Sequence, residues 1–324
     1  MSLTIVMYHY VRRIKNSRFS EIKGLERDDF VEQVEYLKRH YTPVTGQQVV
    51  EAAKGRGELP KNAVLLTFDD GYLDHFTTAF PILKNAGVPA VFFPPAKCVL
   101  EREMLDVNKI HYILAATDDK TKLITCIDES IETYRNTHVI KTVAEYRSLY
   151  FHPNRFDSAE VIYIKRMLQV GLDESIRSEI TDFLFRTFVS SDPKSFANEV
   201  YMDIDQAKCM FDSGMAFGSH GYDHYWLDSL TMEQQEQEID RSLEFLGMIG
   251  EKTKDWIMCY PYGAWNSDTL DVLRKKECAI ALTTEVGIAD IEKSNRLILP
   301  RLDTNDLPKH RNSPANEWTI KAAT

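Results

Sequence analysis

The fold of this chain is decided by one stretch, Val64-Leu65-Leu66-Thr67-Phe68-Asp69-Asp70-Gly71-Tyr72, in which an apolar run ends in two adjacent carboxylates. The run is almost entirely apolar on both faces, a pattern that predicts a buried strand of a parallel sheet. Acids at the end of such a strand lie where α/β barrels keep their chemistry. Adjacent side chains of an extended backbone point in different directions, so Asp69 and Asp70 would have different roles in one pocket. On its own, Asp-Asp-Gly more often forms a turn before a helix cap, so the rest of the chain must support a site.

The composition is that of a globular protein with a full core. The 324 residues are 44% hydrophobic and 27% charged, which fits one large α/β domain or two smaller ones. The net charge of -10 and the lack of a basic patch argue against a nucleic-acid partner. The five cysteines are odd in number and show no C-x-x-C spacing, which favours reduced thiols in a cytosol over a disulfide framework.

The first residues show neither the basic region nor the apolar run of a signal peptide. No stretch approaches the roughly 18 consecutive apolar residues that a membrane-spanning helix needs. We therefore expect a cytoplasmic protein without a transmembrane segment. Nothing in the sequence indicates an oligomeric state.

Strand and helix patterns alternate in two parts of the chain, residues 1–96 and 203–305. About seven strands, separated by helices where the pattern is clear, predict an α/β fold in which a parallel sheet closes into a distorted (β/α)7-8 barrel. Residues 97–202 show mainly helical patterns, and we interpret them as a helical insertion or subdomain. The polar residues 306–324 are expected to form a loosely held C-terminal tail.

Two histidines, His220 and His224, follow a strand-like run at 215–220. On a helical turn, a spacing of four places two imidazoles on one face, as in pairs of zinc-binding histidines. With Asp70 they would form a set of two histidines and one carboxylate with open positions, which suits Zn²⁺ or another divalent first-row metal. Without such a third group, H-x-x-x-H is a common accident.

A third motif, Cys259-Tyr-Pro-Tyr-Gly263, follows the next predicted strand. It is either an ordinary Pro-Gly turn or a functional loop. In the second interpretation its aromatic side chains line a groove and a backbone N–H faces a reacting carbonyl.

In this order, T-F-D-D-G, H-x-x-x-H and Y-P-Y-G resemble the motifs of the polysaccharide deacetylases, carbohydrate esterases with a NodB homology domain that include chitooligosaccharide deacetylases. The resemblance covers about 1–96 and 203–305. It implies a distorted (β/α) barrel that removes N- or O-acetyl groups from sugars with a divalent metal, for which we expect Zn²⁺. The general base would be Asp69, and the Tyr262 backbone N–H, next to Pro261, would help to stabilise the oxyanion. The metal ligands would be Asp70, His220 and His224.

The chain departs from the usual pattern of the family in three places. Gly221 stands where a Ser or Thr usually follows the first ligand histidine, so one supporting hydrogen bond must come from elsewhere. Cys259 stands where the third motif usually has the Arg that orients the base. The late L-x-H motif that supplies the general acid is missing.

The N-terminal Val6-Met-Tyr-His-Tyr10 suggests that the acid has moved. It resembles the opening strand of the biofilm poly-N-acetylglucosamine deacetylases, in which a Y-H near the start supplies the acid, and Pro300-Arg301 matches a late P-R of the same branch. The resemblance implies that His9 is the general acid and that Arg301 is a further catalytic residue. The alternatives are a core histidine at position 9 and a surface ion pair at position 301.

We therefore expect a metal-dependent hydrolase that removes an N-acetyl group from an amino sugar in surface-polysaccharide or lipopolysaccharide assembly. The sugar would be N-acylated, and its carrier would be a polymer, a lipid or a nucleotide. One alternative is a deformylase of a formamido sugar, because the same groups cleave a formamide. Another is a catalytically inactive, carbohydrate-binding barrel, which metal content and acetate release would distinguish from an enzyme.

Overall fold

The structure is a computed structural model that describes residues 1–154 and 157–323. Arg155 and Phe156, in the predicted insertion, and Thr324, at the end of the predicted tail, lie outside the described residues. The described chain folds into two compact units. The barrel unit comprises Met1–Arg13, Gly24–Glu103 and the chain from Asn198 onward, and the helical unit comprises Ile14–Lys23 and Met104–Ala197.

The described strands are mostly short. They are β1 (Ser2–Tyr8), β2 (Val11–Arg12), β3 (Leu25–Glu26), β4 (Thr42–Pro43), β5 (Ala63–Asp69), β6 (Ala90–Phe93), β7 (Ala216–Phe217), β8 (Ile257–Cys259), β9 (Ile280–Val286), β10 (Ala289–Asp290) and β11 (Leu299–Asp303).

Helices connect these strands and make up the helical unit. They are α1 (Arg27–His40), α2 (Gly46–Ala53), α3 (Phe80–Ala86), α4 (Ala96–Leu100), α5 (Asp106–Ala116), α6 (Lys120–Tyr134), α7 (Val143–Tyr150), α8 (Ala159–Arg166), α9 (Glu174–Phe188), α10 (Pro193–Val200), α11 (Ile204–Asp212), α12 (Met232–Ile249), α13 (Ser267–Lys275) and α14 (Glu317–Ala322). None of the described helices is both long and apolar enough to cross a membrane.

Seven of the described strands form the ring of the barrel, and β4 and β10 pair with it at β5 and β1. The seven strands of the ring are neighbours in the order β7-β6-β5-β1-β11-β9-β8, and every neighbouring pair is parallel. A parallel bridge between Ser219 and Met258 joins the chain after β7 to β8, so the ring of strands is nearly closed. The predicted (β/α)7-8 barrel is confirmed.

Alternate residues of the barrel strands share one apolar cluster, as side chains do when they point into a small barrel. The cluster includes Leu3 and Ile5 of β1, Ala63 and Leu65 of β5, Val91 and Phe93 of β6, Ile257 and Cys259 of β8, Ile280 and Leu282 of β9, and Leu299 of β11. The same alternation, continued towards the carboxyl ends of β5 and β11, reaches Asp69 and Arg301. The core pattern thus aims these two charged side chains towards the barrel axis.

The helical unit is built from capped amphipathic helices. The Asp119 side chain caps α6, and Thr142 forms a capping box with Glu145 at the start of α7. The sequence boundaries of the insertion, 97 and 202, differ from the structural ones. The largest difference is the polar loop Ile14–Lys23, which belongs to the helical unit because Phe19 packs edge-on against Tyr112 and Phe196 of that unit.

The expectation of a loosely held tail is wrong. Thr319 of α14 is buried, and its hydroxyl is hydrogen-bonded to Tyr36 Oη at 2.8 Å and to Tyr41 Oη at 3.0 Å. Two phenol groups under the tail would lose this partner without α14, and leaving buried hydroxyls unpaired costs free energy. The polar composition of the tail gave no sign of these tertiary hydrogen bonds.

Candidate active site

The two adjacent aspartates separate because the backbone turns sharply after β5. Asp70 has a φ of 75° and Gly71 a φ of 65°, so both lie in the left-handed region. A Cβ on Gly71 would lie 2.5 Å from Pro94 Cβ, so only glycine fits this close approach. The Asp70 N–H still donates to Phe93 O at 3.0 Å, which ties the turn to β6. The Asp-Asp-Gly turn is real, and it gives the two carboxylates different surroundings.

Asp70 meets both histidines of the second motif. The Nε2 atoms of His220 and His224 each lie 3.4 Å from Asp70 Oδ1, and all three side chains are buried. The potential ligand atoms lie within 4.8 Å of one another. The histidines do not lie on a helical turn: they converge through an irregular loop in which Gly221 and His224 have φ values of 72° and 62°.

Hydrogen bonds orient the groups of this cluster. The Nδ1–H of His220 donates to Cys259 O at 2.7 Å, which turns the Nε2 atom towards Asp70. Burial raises the pKa of Asp70, but hydrogen bonds from the two imidazoles hold that pKa well below its usual range. Tyr72 Oη donates to Asp70 Oδ2 at 2.5 Å and orients the carboxylate further.

His224 also directs its Nε2 at Asp70, and its Nδ1 is buried without a hydrogen-bond partner in the described part of the chain. Two imidazoles and one carboxylate match the ligands that Zn²⁺ and other divalent first-row metals take in hydrolytic sites. The residues present therefore fit the divalent cation that the sequence motifs imply.

Asp69 is surrounded differently. Both of its oxygens accept hydrogen bonds from the Arg301 guanidinium, Oδ1 from Nη1 at 3.0 Å and Oδ2 from Nη2 at 2.8 Å. Arg301 is 2% exposed, so it is not a surface ion pair. Its Nε donates to Thr283 O at 2.8 Å and its Nη1 also reaches Thr67 Oγ1 at 3.3 Å, which fixes the plane of the guanidinium.

The ion pair determines the protonation of Asp69. Burial would raise the pKa of this carboxyl, but the Arg301 charge, above all other nearby charges, brings it below its ordinary value. Asp69 is therefore an ionised acceptor that faces the cluster of Asp70 and the histidines. This state is the one that a general base requires.

His9 stands at the open side of the same group. Its Nε2 lies 4.0 Å from Asp69 Oδ2, and its side chain is 39% exposed, so it is not a core histidine. His75 lies beneath it, fully buried, and donates its Nε2–H to His9 O at 2.9 Å. Because burial lowers the pKa of His75, that imidazole is neutral and acts as a fixed donor that holds the His9 backbone.

The third motif forms a 3-10 turn, Pro261–Gly263, with Pro261 buried at its start. Tyr262 takes the left-handed conformation, with a φ of 58°, which is unusual for an aromatic residue. Its ring meets the edge of His224 at a centroid distance of 4.7 Å and stacks on Trp226 at 4.3 Å, with 6° between the planes. The loop thus places an aromatic pair beside the histidine ligands.

Cys259, at the position where Arg was expected, forms a second group of potential ligands with Asp69 and His220. This group does not suit a cation as well, because the Arg301 guanidinium already binds both oxygens of Asp69. Burial raises the pKa of the Cys259 thiol, so the neutral form is favoured. Arg301, from the last barrel strand, pairs with Asp69 and so orients the base, as was expected of an arginine at position 259.

The structure brings together the residues that the sequence singled out. They form the cation group (Asp70, His220, His224), the neighbouring base group (Asp69, Arg301, His9) and the turn with Pro261 and Tyr262, whose ring contacts His224. Sequence reasoning missed His75, which holds the His9 backbone, Trp226, which stacks on Tyr262, and the buried Glu238 of α12. Glu238 had a usable signal, because Gln235, Glu238 and Ser242 are polar yet occupy the buried stripe of α12 with Ile239 and Phe245.

Known proteins resemble this chain in sequence. The sequence model of a family described as polysaccharide deacetylase matches residues 56–153 and 181–281, more than half of the chain. A poly-beta-1,6-N-acetyl-D-glucosamine N-deacetylase of Escherichia coli is 47% identical over 64 residues, 19% of this chain and 10% of that protein. A putative polysaccharide deacetylase of Bacillus subtilis, YxkH, is 34% identical over 97 residues, 30% of this chain and 34% of that protein. The matched stretches thus span only a small part of these relatives.

Solved structures share the fold over nearly the whole chain. The Streptococcus pyogenes deacetylase PplD, in complex with acetate, superposes with a TM-score of 0.59 at 17% identity, covering 94% of this chain and 92% of that one. IcaB from Ammonifex degensii superposes with a TM-score of 0.56 at 20% identity, covering 100% of this chain and 97% of that one.

Proposed function

Because this chain belongs to the polysaccharide deacetylase family, we propose that it is a metal-dependent hydrolase that removes the N-acetyl group of an amino sugar. The observation that carries the proposal is the pair of groups at the carboxyl ends of the strands, in which an ionised, arginine-bound Asp69 faces a buried Asp70, His220 and His224. A divalent cation held by those three ligands, which we propose to be Zn²⁺, would supply Lewis acidity to a water and to the acyl carbonyl.

Residues of the chain itself carry out the proton transfers and help to stabilise the oxyanion. Asp69 accepts a proton from the attacking water at its carboxylate, and Arg301 keeps that carboxylate ionised and oriented. His9 Nε2, 4.0 Å from Asp69 Oδ2, gives a proton to the departing amine nitrogen, which leaves badly as an anion. The Tyr262 N–H, next to Pro261, would donate to the developing oxyanion, a contribution of about 3–4 kcal/mol for a well-placed donor.

We propose that the substrate is an intermediate of surface-polysaccharide or lipopolysaccharide assembly, carried on a lipid, a nucleotide or a polymer. Support comes from the relative in Escherichia coli, whose name gives poly-beta-1,6-N-acetyl-D-glucosamine as its substrate.

We also propose that the protein works in the cytoplasm. All five cysteines are free thiols, three of them buried, as expected in a reducing compartment. Cell fractionation tests this location.

The test of activity uses the purified chain, stripped with a chelator and then supplied with Zn²⁺. We expect zinc-dependent release of acetate from an N-acetylglucosamine oligosaccharide and none from the Asp69→Asn variant. Release of formate from a formamido sugar, with no acetate from N-acetyl sugars, would favour the deformylase. Sugar binding without release of either acid would favour an inactive carbohydrate-binding barrel.

A further inference from the structure

The loop between the two histidine ligands rests on a buried carboxylate to which nothing above assigns a role. Glu238, on α12, is 6% exposed, and its Oε2 accepts the backbone N–H groups of both Tyr222 and Asp223, each at 2.9 Å. Among the described residues Glu238 has no ion pair within 4.0 Å. A carboxylate buried without a cation costs free energy, so its position calls for a functional reason.

Gly221 explains why the carboxylate fits there. Its φ of 72° turns the chain directly after His220, and this turn points the next two N–H groups towards α12. A Cβ on Gly221 would lie 3.2 Å from Glu238 Oε2, which is tighter than an ordinary contact. The Glu238 carboxylate therefore occupies the space that a side chain at position 221 would need. Where the motif usually carries a hydroxyl after its first histidine, this chain has an acceptor from helix α12 beside the loop.

The opposite edge of the loop is held by α4. The N–H groups of Ala96 and Lys97 donate to Gly221 O at 3.3 Å and to Tyr222 O at 3.1 Å, and Lys97 Nζ pairs with Asp223 Oδ1 at 2.6 Å. Glu238 binds the N–H groups of the loop while α4 binds its carbonyl groups. The separation of the two imidazoles thus depends on contacts from both sides.

We infer that Glu238 is a positioning residue, which fixes the 220–224 loop so that His220 and His224 present their Nε2 atoms to one cation. The inference rests on the metal site of the proposed function. Glu238 acts on the affinity for the cation. Without its carboxylate as acceptor, the loop has to be ordered when the cation binds, and the affinity falls by the free-energy cost of that ordering. Residues that orient metal ligands in this way are worth about 10–100-fold in metal affinity.

The experiment measures Zn²⁺ affinity by competition with a chromophoric chelator, on the full chain. Glu238→Ala should bind Zn²⁺ about 10–100-fold more weakly than the wild type. Glu238→Gln, whose amide oxygen accepts the same two N–H groups, should bind close to the wild type. The matched control is Glu244→Ala, because Glu244 is an exposed glutamate of the same helix. Hydrogen exchange in a peptide covering 219–224 should be faster in Glu238→Ala alone.

At saturating Zn²⁺, Glu238→Ala should recover a kcat close to that of the wild type, a recovery that a general loss of folding does not allow. If Glu238→Ala does not fold, Glu238→Asp decides: it keeps the charge but withdraws the oxygen, so it should lose affinity while Glu238→Gln keeps it. Wild-type affinity in Glu238→Ala or Glu238→Asp overturns the inference. A wild type that binds no Zn²⁺ refutes the proposed metal site instead, so the two failures are distinguishable.

Discussion

Asp69 and Asp70 are neighbours in sequence, yet the two groups they belong to are built in different ways. The cation group takes its ligands from two short motifs and depends on irregular loops with left-handed residues at Asp70, Gly221 and His224. The base group takes its members from three neighbouring strands, the ends of β5, β1 and β11, and its arginine is 232 residues from Asp69. One group therefore depends on local loop geometry, and the other on the strand order of the barrel.

The electrostatic difference follows from these partners. The base group contains a buried arginine that neutralises its carboxylate, whereas the cation group gathers a carboxylate and two imidazoles with no arginine or lysine in ion-pair contact with Asp70 among the described residues. A buried carboxylate needs a positive partner. The chain itself therefore completes the base group, whereas the cation group has the composition that the proposed metal would complete.

The largest expected effect comes from removing the cation group. Wild-type protein should hold about one divalent ion per chain, the usual content of a single hydrolytic site. The double variant His220→Ala, His224→Ala should lose both the ion and the activity, and Asp70→Asn should do the same. Elemental analysis with acetate release measures both quantities, and His152→Ala, an exposed histidine, is the control. Stoichiometric metal in the double variant would refute the site.

The second prediction removes the proposed proton donor. His9→Ala should keep its metal, because His9 does not belong to the cation group, and should lower kcat by about 10²–10⁴, the usual contribution of a positioned acid. The loss should be smaller for O-acetyl esters, because an alkoxide leaves more readily than an amide nitrogen. Near-normal turnover of an amide substrate by His9→Ala would mean that another residue is the acid.

The third prediction removes the arginine of the base group. Arg301→Met removes the strongest of the nearby charges that oppose the burial of Asp69, so the pKa of Asp69 should rise. Because the ionised form is the base, the acid limb of the pH–rate profile should move to higher pH, and kcat at neutral pH should fall by about 10–100-fold.

The control for this variant is Arg301→Lys, which keeps the charge without the paired hydrogen bonds. The acid limb of its pH–rate profile should lie close to that of the wild type, and its kcat should be recovered only in part. Unfolding must be followed in both variants, since breaking a buried ion pair costs about 3–5 kcal/mol. An unmoved acid limb in folded Arg301→Met would show that Arg301 does not set the protonation of the base.

The sequence predicted the barrel and the cation group from patterns that are local in the chain. A buried strand that ends in Asp69 and Asp70 and two histidines four residues apart give direct signals. His9 and Arg301 came only from the resemblance, because neither has a local pattern and their meeting depends on which strands are neighbours. Glu238 was not predicted, because its contact with the loop is a tertiary contact that no local sequence pattern indicates. The tail was misjudged for the same reason, since Thr319 binds two tyrosines of distant segments.

The smallest expected effect concerns stability and compares Glu238 with Asp69. Burial raises the pKa of Glu238 above its ordinary value of 4.5, although the backbone N–H groups oppose the shift. A raised folded pKa means that the native state binds the proton more tightly than the unfolded chain, so this group destabilises the fold as pH rises through that pKa. In Asp69 the arginine lowers the folded pKa instead, so the ionised carboxylate stabilises the fold.

In metal-free protein, Glu238→Gln removes this titration and keeps the acceptor. Its Tm should therefore exceed that of the wild type near pH 8. The difference should shrink as pH falls and vanish below the ordinary pKa of 4.5, where the carboxyl is protonated in both states. Glu244→Gln, on the exposed face of α12, should show no such dependence. A Tm difference independent of pH, or one that grows towards low pH, would show that Glu238 is stabilised as a charge by its surroundings, and the contrast between the two carboxylates would not hold.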